Sequence, residues 1–116
     1  PYRVGEPYYR RGEGLLEIPI QVTRGLRLPF IGTSVVMAGS RAPLLAKMCV
    51  GDPLVNLELH GIDVLDAADG LHALSPHQPD VNISKESKLD ALASVVSELK
   101  NGGYRFVTMR EAAAQL

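Results

Sequence analysis

Apolar and other residues alternate along 15–22: Leu16, Ile18, Ile20 and Val22 fall on one face, and Leu15, Glu17, Pro19 and Gln21 on the other. That period of two predicts a strand with one buried face, and Pro19, which lacks a ladder donor, puts the strand at an edge or a bulge. Before it, residues 1–14 hold Pro1, Gly5, Pro7, Gly12 and Gly14 among three Tyr and three Arg, a composition that predicts a loop. Residues 26–39 are apolar without a clear period. The stretch 40–51 predicts a short helix, with Pro43 tolerated in its first turn and Gly51 as its stop. Val55, Leu57 and Leu59 then alternate with Asn56, Glu58 and His60, which predicts a strand over 53–60 ending at Gly61.

Residues 61–83 carry four Asp, two His, two Pro and two Gly, too polar and broken for a core element, and predict a long loop after that strand. A helix is predicted to follow. Ile83, Leu89, Leu92, Val95, Val96 and Leu99 form its apolar stripe, Ser84 stands as N-cap, and Asn101-Gly102-Gly103 ends it. Tyr104-Arg105-Phe106-Val107-Thr108-Met109 predicts a strand, and 110–116 begins another helix. The order strand, helix, strand, loop, helix, strand, helix predicts an α/β fold of parallel βα units, with residues 1–116 forming one domain or a fragment of one.

Charge changes the picture mainly by exclusion. The 116 residues hold 12 Lys and Arg against 13 Asp and Glu, a formal net charge of -1, so there is no basic stripe for nucleic acid or an acidic membrane surface. The charge is uneven: 1–27 carry five Arg and three Glu, 28–80 two basic and six acidic residues, and 81–116 five basic and four acidic. Apolar runs such as 31–38 fall far short of the roughly 20 residues that span a bilayer, so no transmembrane helix is expected. The opening Pro1-Tyr2-Arg3 shows no Met and no leader pattern, and is expected to be a processed start or the interior of a longer chain. Cys49, the single cysteine, has only Lys47 as a basic neighbour and reads as core rather than nucleophile.

Candidate chemistry centres on His60. In parallel α/β folds ligands sit at the carboxyl ends of strands, and His60 is the last residue of its predicted strand. An imidazole there can act as general acid or base or bind a metal, or it can simply hydrogen-bond at the strand end. Asp63, Asp66 and Asp69 recur every third residue and could hold a cation or orient His60, although Asp-rich turns more often serve as caps. His72 and His77 have no recognised zinc spacing. Tyr8, Tyr9, Arg10 and Arg11 suit either a sugar-binding rim or loop packing. The chain contains no Gly-rich phosphate loop, no nucleophile elbow and no His-x-x-x-His pair.

Leu57-Glu58-Leu59-His60-Gly61-Ile62-Asp63, the capped helix and Gly103-Tyr104-Arg105-Phe106-Val107-Thr108-Met109 resemble, in this order, the C-terminal half of the polysaccharide deacetylase (NodB-homology) family. Leu57 and His60 match its Leu-x-x-His strand, and Leu15-Leu16-Glu17-Ile18-Pro19-Ile20 is similar to the strand that precedes that motif. The resemblance covers almost the whole chain. It implies a partial (β/α) barrel and a metal-dependent hydrolase that removes N-acetyl or related N-acyl groups from amino sugars in a polysaccharide or glycoconjugate. It gives His60 the role of general acid toward the leaving amine and Leu57 that of lining the acyl pocket. Leu57 and His60 are three apart and face opposite ways in a regular strand, so serving one pocket needs a twist or bulge. Asp63 is a secondary substrate-binding candidate at the rim, by proximity alone.

The same resemblance implies a divalent metal, zinc by family habit, but the Asp-Asp motif and His-x-x-x-His ligands belong to the N-terminal half and have no counterpart here. No metal ligand is therefore assigned in this chain. The segment is expected to be inactive alone and to work with its missing N-terminal half, or to self-associate through open sheet edges. The carbohydrate substrate has a narrower alternative, a formyl group on a lipid-linked amino sugar. A reading of another class is a non-catalytic carbohydrate- or protein-binding α/β module acting through 1–14 and 61–83.

Overall fold

Residues 1–116 are described by a computed structural model. In chain order its elements are β1 (Tyr2–Val4), β2 (Arg11–Glu17), α1 (Gly32–Ala38), α2 (Ala42–Lys47), α3 (Lys85–Asn101) and α4 (Met109–Ala113), with short 3-10 turns between them. The longest, α3, forms where the sequence predicts it. The Ser84 hydroxyl accepts from the Ser87 N–H at 3.3 Å, and Gly103 leaves the helix at φ 87°, a conformation that disfavours any side chain. Its buried stripe, Ala91, Leu92, Val95 and Leu99, packs against Phe30, against Val35 and Val36 of α1, and against Ala42, Ala46 and Cys49 on and just beyond α2. Val55, Leu57 and Tyr104 close over this core from outside. The Tyr104 hydroxyl donates to the Asp52 carbonyl at 2.7 Å and accepts from the Gly51 N–H at 3.0 Å, which ties the segment after α3 to the turn after α2. No helix is long and apolar enough to cross a membrane.

Lys88 breaks the apolar rule of the α3 stripe. It is fully buried, and its ammonium lies 3.4 Å from the carboxylate of Asp80, itself buried. Cys49 is buried as the sequence predicts, and desolvation, helped by the negative charge of Asp52, pushes its thiol up to about 11. At pH 8 only about one thiol in a thousand would then be ionised, so iodoacetamide should alkylate the native chain far more slowly than the urea-unfolded chain. Fast native alkylation, read by mass spectrometry, would contradict the packing described here.

The expected partial barrel of parallel βα units does not form. The sheet present is two-stranded and antiparallel, β1 with β2. Parallel neighbours must be delivered across a crossover of a dozen or more residues, and the chain delivers one contact of this kind, a parallel bridge between Ile31 and Glu58 in which the Gly32 N–H donates to the Glu58 carbonyl at 2.8 Å. Elsewhere along 54–59 no backbone–backbone hydrogen bond forms, and Arg105, Phe106 and Val107 make none either. The predicted strands at 53–60 and 104–109 are thus chain without a ladder. The predicted strand at 15–22 is also displaced: β2 ends at Glu17, and Val22 makes only an isolated bridge with Pro29.

The opening segment is a hairpin rather than a loop. A side chain on Gly12 would run into the Gly5 backbone and one on Gly14 into the Val4 carbonyl, so these glycines permit the close approach of β1 to β2 around an irregular register. Residues 61–83 are likewise more ordered than a plain loop, folding into 3-10 turns at Gly61–Val64, Ala67–Asp69, His72–Leu74 and Pro79–Asn82. The radius of gyration is 16.1 Å, whereas a compact chain of this length has about 13 Å. The excess accompanies exposed Leu15, Ile20, Leu59, Phe106 and Met109.

Candidate functional site around His60

His60 is the last extended residue before the Gly61–Val64 turn, with φ -111° and ψ 161°. Asp63 closes that junction from both sides: its N–H donates to the His60 carbonyl at 3.0 Å, and its Oδ2 accepts the His60 N–H at 2.7 Å. The other carboxylate oxygen, Oδ1, accepts from the Thr33 hydroxyl at 3.2 Å. Asp63 is fully buried, so it sits behind His60 and not at the rim where proximity suggested a substrate contact. Both of its oxygens are engaged. This satisfies the rule that a buried charge needs hydrogen-bond partners.

The pocket for that carboxylate is cut by Gly32. The Ile31–Glu58 bridge brings the start of α1 beside the His60 segment, and a Cβ on Gly32 would overlap the Asp63 carboxylate. Gly32→Ala should therefore displace Asp63 and lower stability by about 1–3 kcal/mol, the usual cost of overpacking. An unchanged urea midpoint would refute the fit.

The imidazole itself faces outward, with 60% of its side chain exposed. Nε2 stands 3.8 Å from Glu58 Oε1, and Nδ1 stands 3.8 Å from Asp63 Oδ2. Both separations exceed a hydrogen bond but lie within ion-pair reach, so a protonated ring has a carboxylate on each side. Chemically this is an exposed proton carrier on a fixed backbone, suited to general acid or base work. Leu57 does not join it. That side chain is half-buried and packs on the core, whereas Leu59, on the same predicted face, is exposed beside His60, so the two-residue alternation does not hold up to the end of this unladdered segment.

A metal does not fit here. No group of three His, Cys, Asp or Glu side chains is placed to hold one. Around His60 the two nearby carboxylates face different ring nitrogens, Glu58 beside Nε2 and Asp63 beside Nδ1, and the buried Asp63 oxygens are taken by N–H and hydroxyl donors, so no three of these groups converge on one point as a zinc site requires. In comparisons with known proteins, no family model, no curated protein and no solved structure matched the chain.

The remaining candidates have structural work. Asp66 Oδ1 accepts from the Ala68 N–H at 2.8 Å and Oδ2 from the Lys85 N–H at 2.7 Å, binding the 61–83 segment to the start of α3. Asp69 pairs with the Lys85 ammonium at 2.6 Å. That hydrogen bond is the main cause holding the Asp69 carboxyl below its ordinary range and the Lys85 ammonium above its own. His72 and His77 belong to no cluster with metal-holding geometry. Tyr8 and Tyr9 are exposed beyond β1, edge to face with ring centroids 5.7 Å apart. Two clefts, of about 380 and 290 Å³, are lined by residues of 1–22 with Leu116 and of 1–22 with 52–56, and His60 lines neither.

Sequence reasoning missed Glu58, Thr33 and Gly32, and also Lys88 and Asp80. Glu58 was legible as the same-face neighbour of His60 two residues back. Lys88 was legible as a lone charge continuing the apolar stripe Leu92, Val95, Leu99 by one helical turn. Thr33 and Gly32 reach the site only through tertiary pairing and leave no local sign.

Proposed function

We propose that this chain supplies the proton-donating part of a metal-dependent hydrolase that removes N-acetyl or related N-acyl groups from amino sugars. The observation that carries the proposal is an exposed imidazole whose backbone is clamped by a buried, fully hydrogen-bonded carboxylate. The resemblance of Leu57-x-x-His60 and of Gly103-Tyr104-Arg105-Phe106-Val107 to the polysaccharide deacetylases supports the same assignment. After water adds to the acyl carbon, the exposed His60 ring gives a proton to the sugar nitrogen as the C–N bond breaks, so the acyl group leaves as the carboxylic acid and the amine leaves neutral rather than as an amide anion. Asp63 fixes the main chain from which the ring projects, and Glu58 and Asp63 together compensate the charge of the protonated ring.

The metal ligands lie outside these residues. A companion segment, the missing N-terminal half, pairs with the unladdered backbone of 54–59 and 105–107 and covers exposed Leu59 and Phe106, with self-association through the same backbone as the competing outcome. The test is acetate release from an N-acetylglucosamine oligomer, with formate release from a formamido sugar run in parallel. The 116-residue chain with zinc alone should release neither. The chain joined to a metal-holding segment should release one of them, and the product distinguishes the two acyl groups. Turnover by the isolated chain, or turnover indifferent to His60, would overturn the proposal.

A further inference from the structure

We propose that Lys88 is the positioning residue of the His60 site, although it lies 28 positions further along the chain. The proposal rests on His60 being the working group. The Lys88 ammonium donates to the carbonyl of Ile62 at 2.8 Å and to that of Leu65 at 2.6 Å, with the Asp80 carboxylate at 3.4 Å taking the third direction. Ile62 directly precedes Asp63, and Leu65 follows the turn that carries it. A lysine has three N–H donors and here each has an acceptor, two of them main-chain oxygens that bracket the carboxylate clamping His60.

The position of the ammonium is in turn set by α3, whose buried face the Lys88 stem shares with Leu92 and Val95. The Gly61–Val64 turn is thus bolted to the most regular element of the fold. Without the ammonium the Ile62 carbonyl would keep only the long 3.4 Å bond from the Leu65 N–H, and the Leu65 carbonyl would have no backbone donor at all. An apolar residue at 88 would complete the α3 stripe equally well as packing. Only a buried donor of this length reaches both carbonyls.

The decisive measurement is NMR on the labelled 116-residue chain, comparing wild type, Asp63→Asn, Asp80→Asn, and the double variant Lys88→Met with Asp80→Leu, which leaves no buried charge unpaired. In the double variant the His60 N–H should exchange at least about tenfold faster relative to Val95, because the turn has lost charged donors. The His60 ring resonances should move toward their positions in Asp63→Asn. Asp80→Asn alone, which keeps both carbonyl bonds, should leave them near wild type. A role confined to packing would lower protection at His60 and Val95 together and leave the ring signals in place, and that result overturns the proposal.

If the double variant does not fold, the unmutated chain still decides. In sub-denaturing urea the His60 N–H should open in the same step as the amides of Lys88 and Leu92. Exchange of His60 at free-loop rates while those amides stay protected also overturns the proposal. None of these readouts uses substrate, so a dispensable His60 in hydrolysis would remove the functional reading without imitating a failure of the positioning one.

Discussion

Lys88→Met is expected to destabilise the chain by about 3–5 kcal/mol, measured as the shift in a urea or guanidinium unfolding curve. Methionine matches the stem in volume and costs little as packing. The loss comes from what remains: Asp80 keeps a buried charge with no cation, the Leu65 carbonyl loses its donor, and the Ile62 carbonyl is left with only the long bond from the Leu65 N–H. Small domains have about 5–15 kcal/mol in total, so this one substitution should bring the chain close to unfolding. Lys85→Met, three residues earlier and at a partly exposed pair, should change stability by less than about 1 kcal/mol. Similar losses at both positions would show that Lys88 is not the desolvated, fully paired group described above.

His60→Ala should act in the opposite way, lowering turnover by about 10²–10⁴-fold in the hydrolase proposed for the chain joined to a metal-holding segment, while moving stability by no more than about 0.5 kcal/mol. The ring is largely exposed and neither nitrogen is within hydrogen-bond distance of Glu58 or Asp63, so its removal exposes nothing and orphans nothing. The backbone clamp survives because it uses the main-chain N–H and carbonyl of residue 60. The expected kinetic signature is a fall in kcat with KM little changed, since proton donation belongs to the transition state. Turnover within a few-fold of wild type would remove His60 from the acid role. A large loss of stability would instead mean that the ring is part of the packing.

How much of this was legible along the chain depends on the distance over which each feature is decided. α3 could be read because its cap, stripe and stop are all local, within Ser84 and Gly103. α1 could not: its seven residues lack a side-chain cap, and it is held by the burial of Val35 and Val36 against α3. The alternating segments 53–60 and 104–109 were legible as chain suited to a sheet, but strand pairing is decided by neighbours, and within these residues only Ile31 arrives. The hairpin at the start was hidden because its glycines signal close backbone approach as readily as a loop.

The site divides in the same way. His60 was visible as the last residue of an alternating segment, but the outward direction of its ring was not, because the alternation breaks at the exposed Leu59 beside it. The burial of Asp63 was not visible, since it depends on Thr33 and Gly32, thirty residues earlier, and its framework depends on Lys88.

The pairings at Asp66, Asp69 and Asp80 leave residues 70–79 hanging between two fixed points on the same helix. Within that interval the N–H groups of Leu74, Ser75, His77 and Gln78 all donate to carbonyls of the interval itself, and its backbone links to the rest are the short-range bonds at its two ends, Gly70 N–H to Ala67 and Val81 N–H to Gln78. The middle of the interval, 71–77, makes no backbone bond to residues outside 70–79, and doubling a loop adds only about 0.6 kcal/mol of closure entropy. The span is therefore a natural insertion point. A fluorophore, an affinity tag or a second binding module grafted there would ride on the framework of the His60 site without loosening it, and among divergent versions of this chain it is the place where length should vary first.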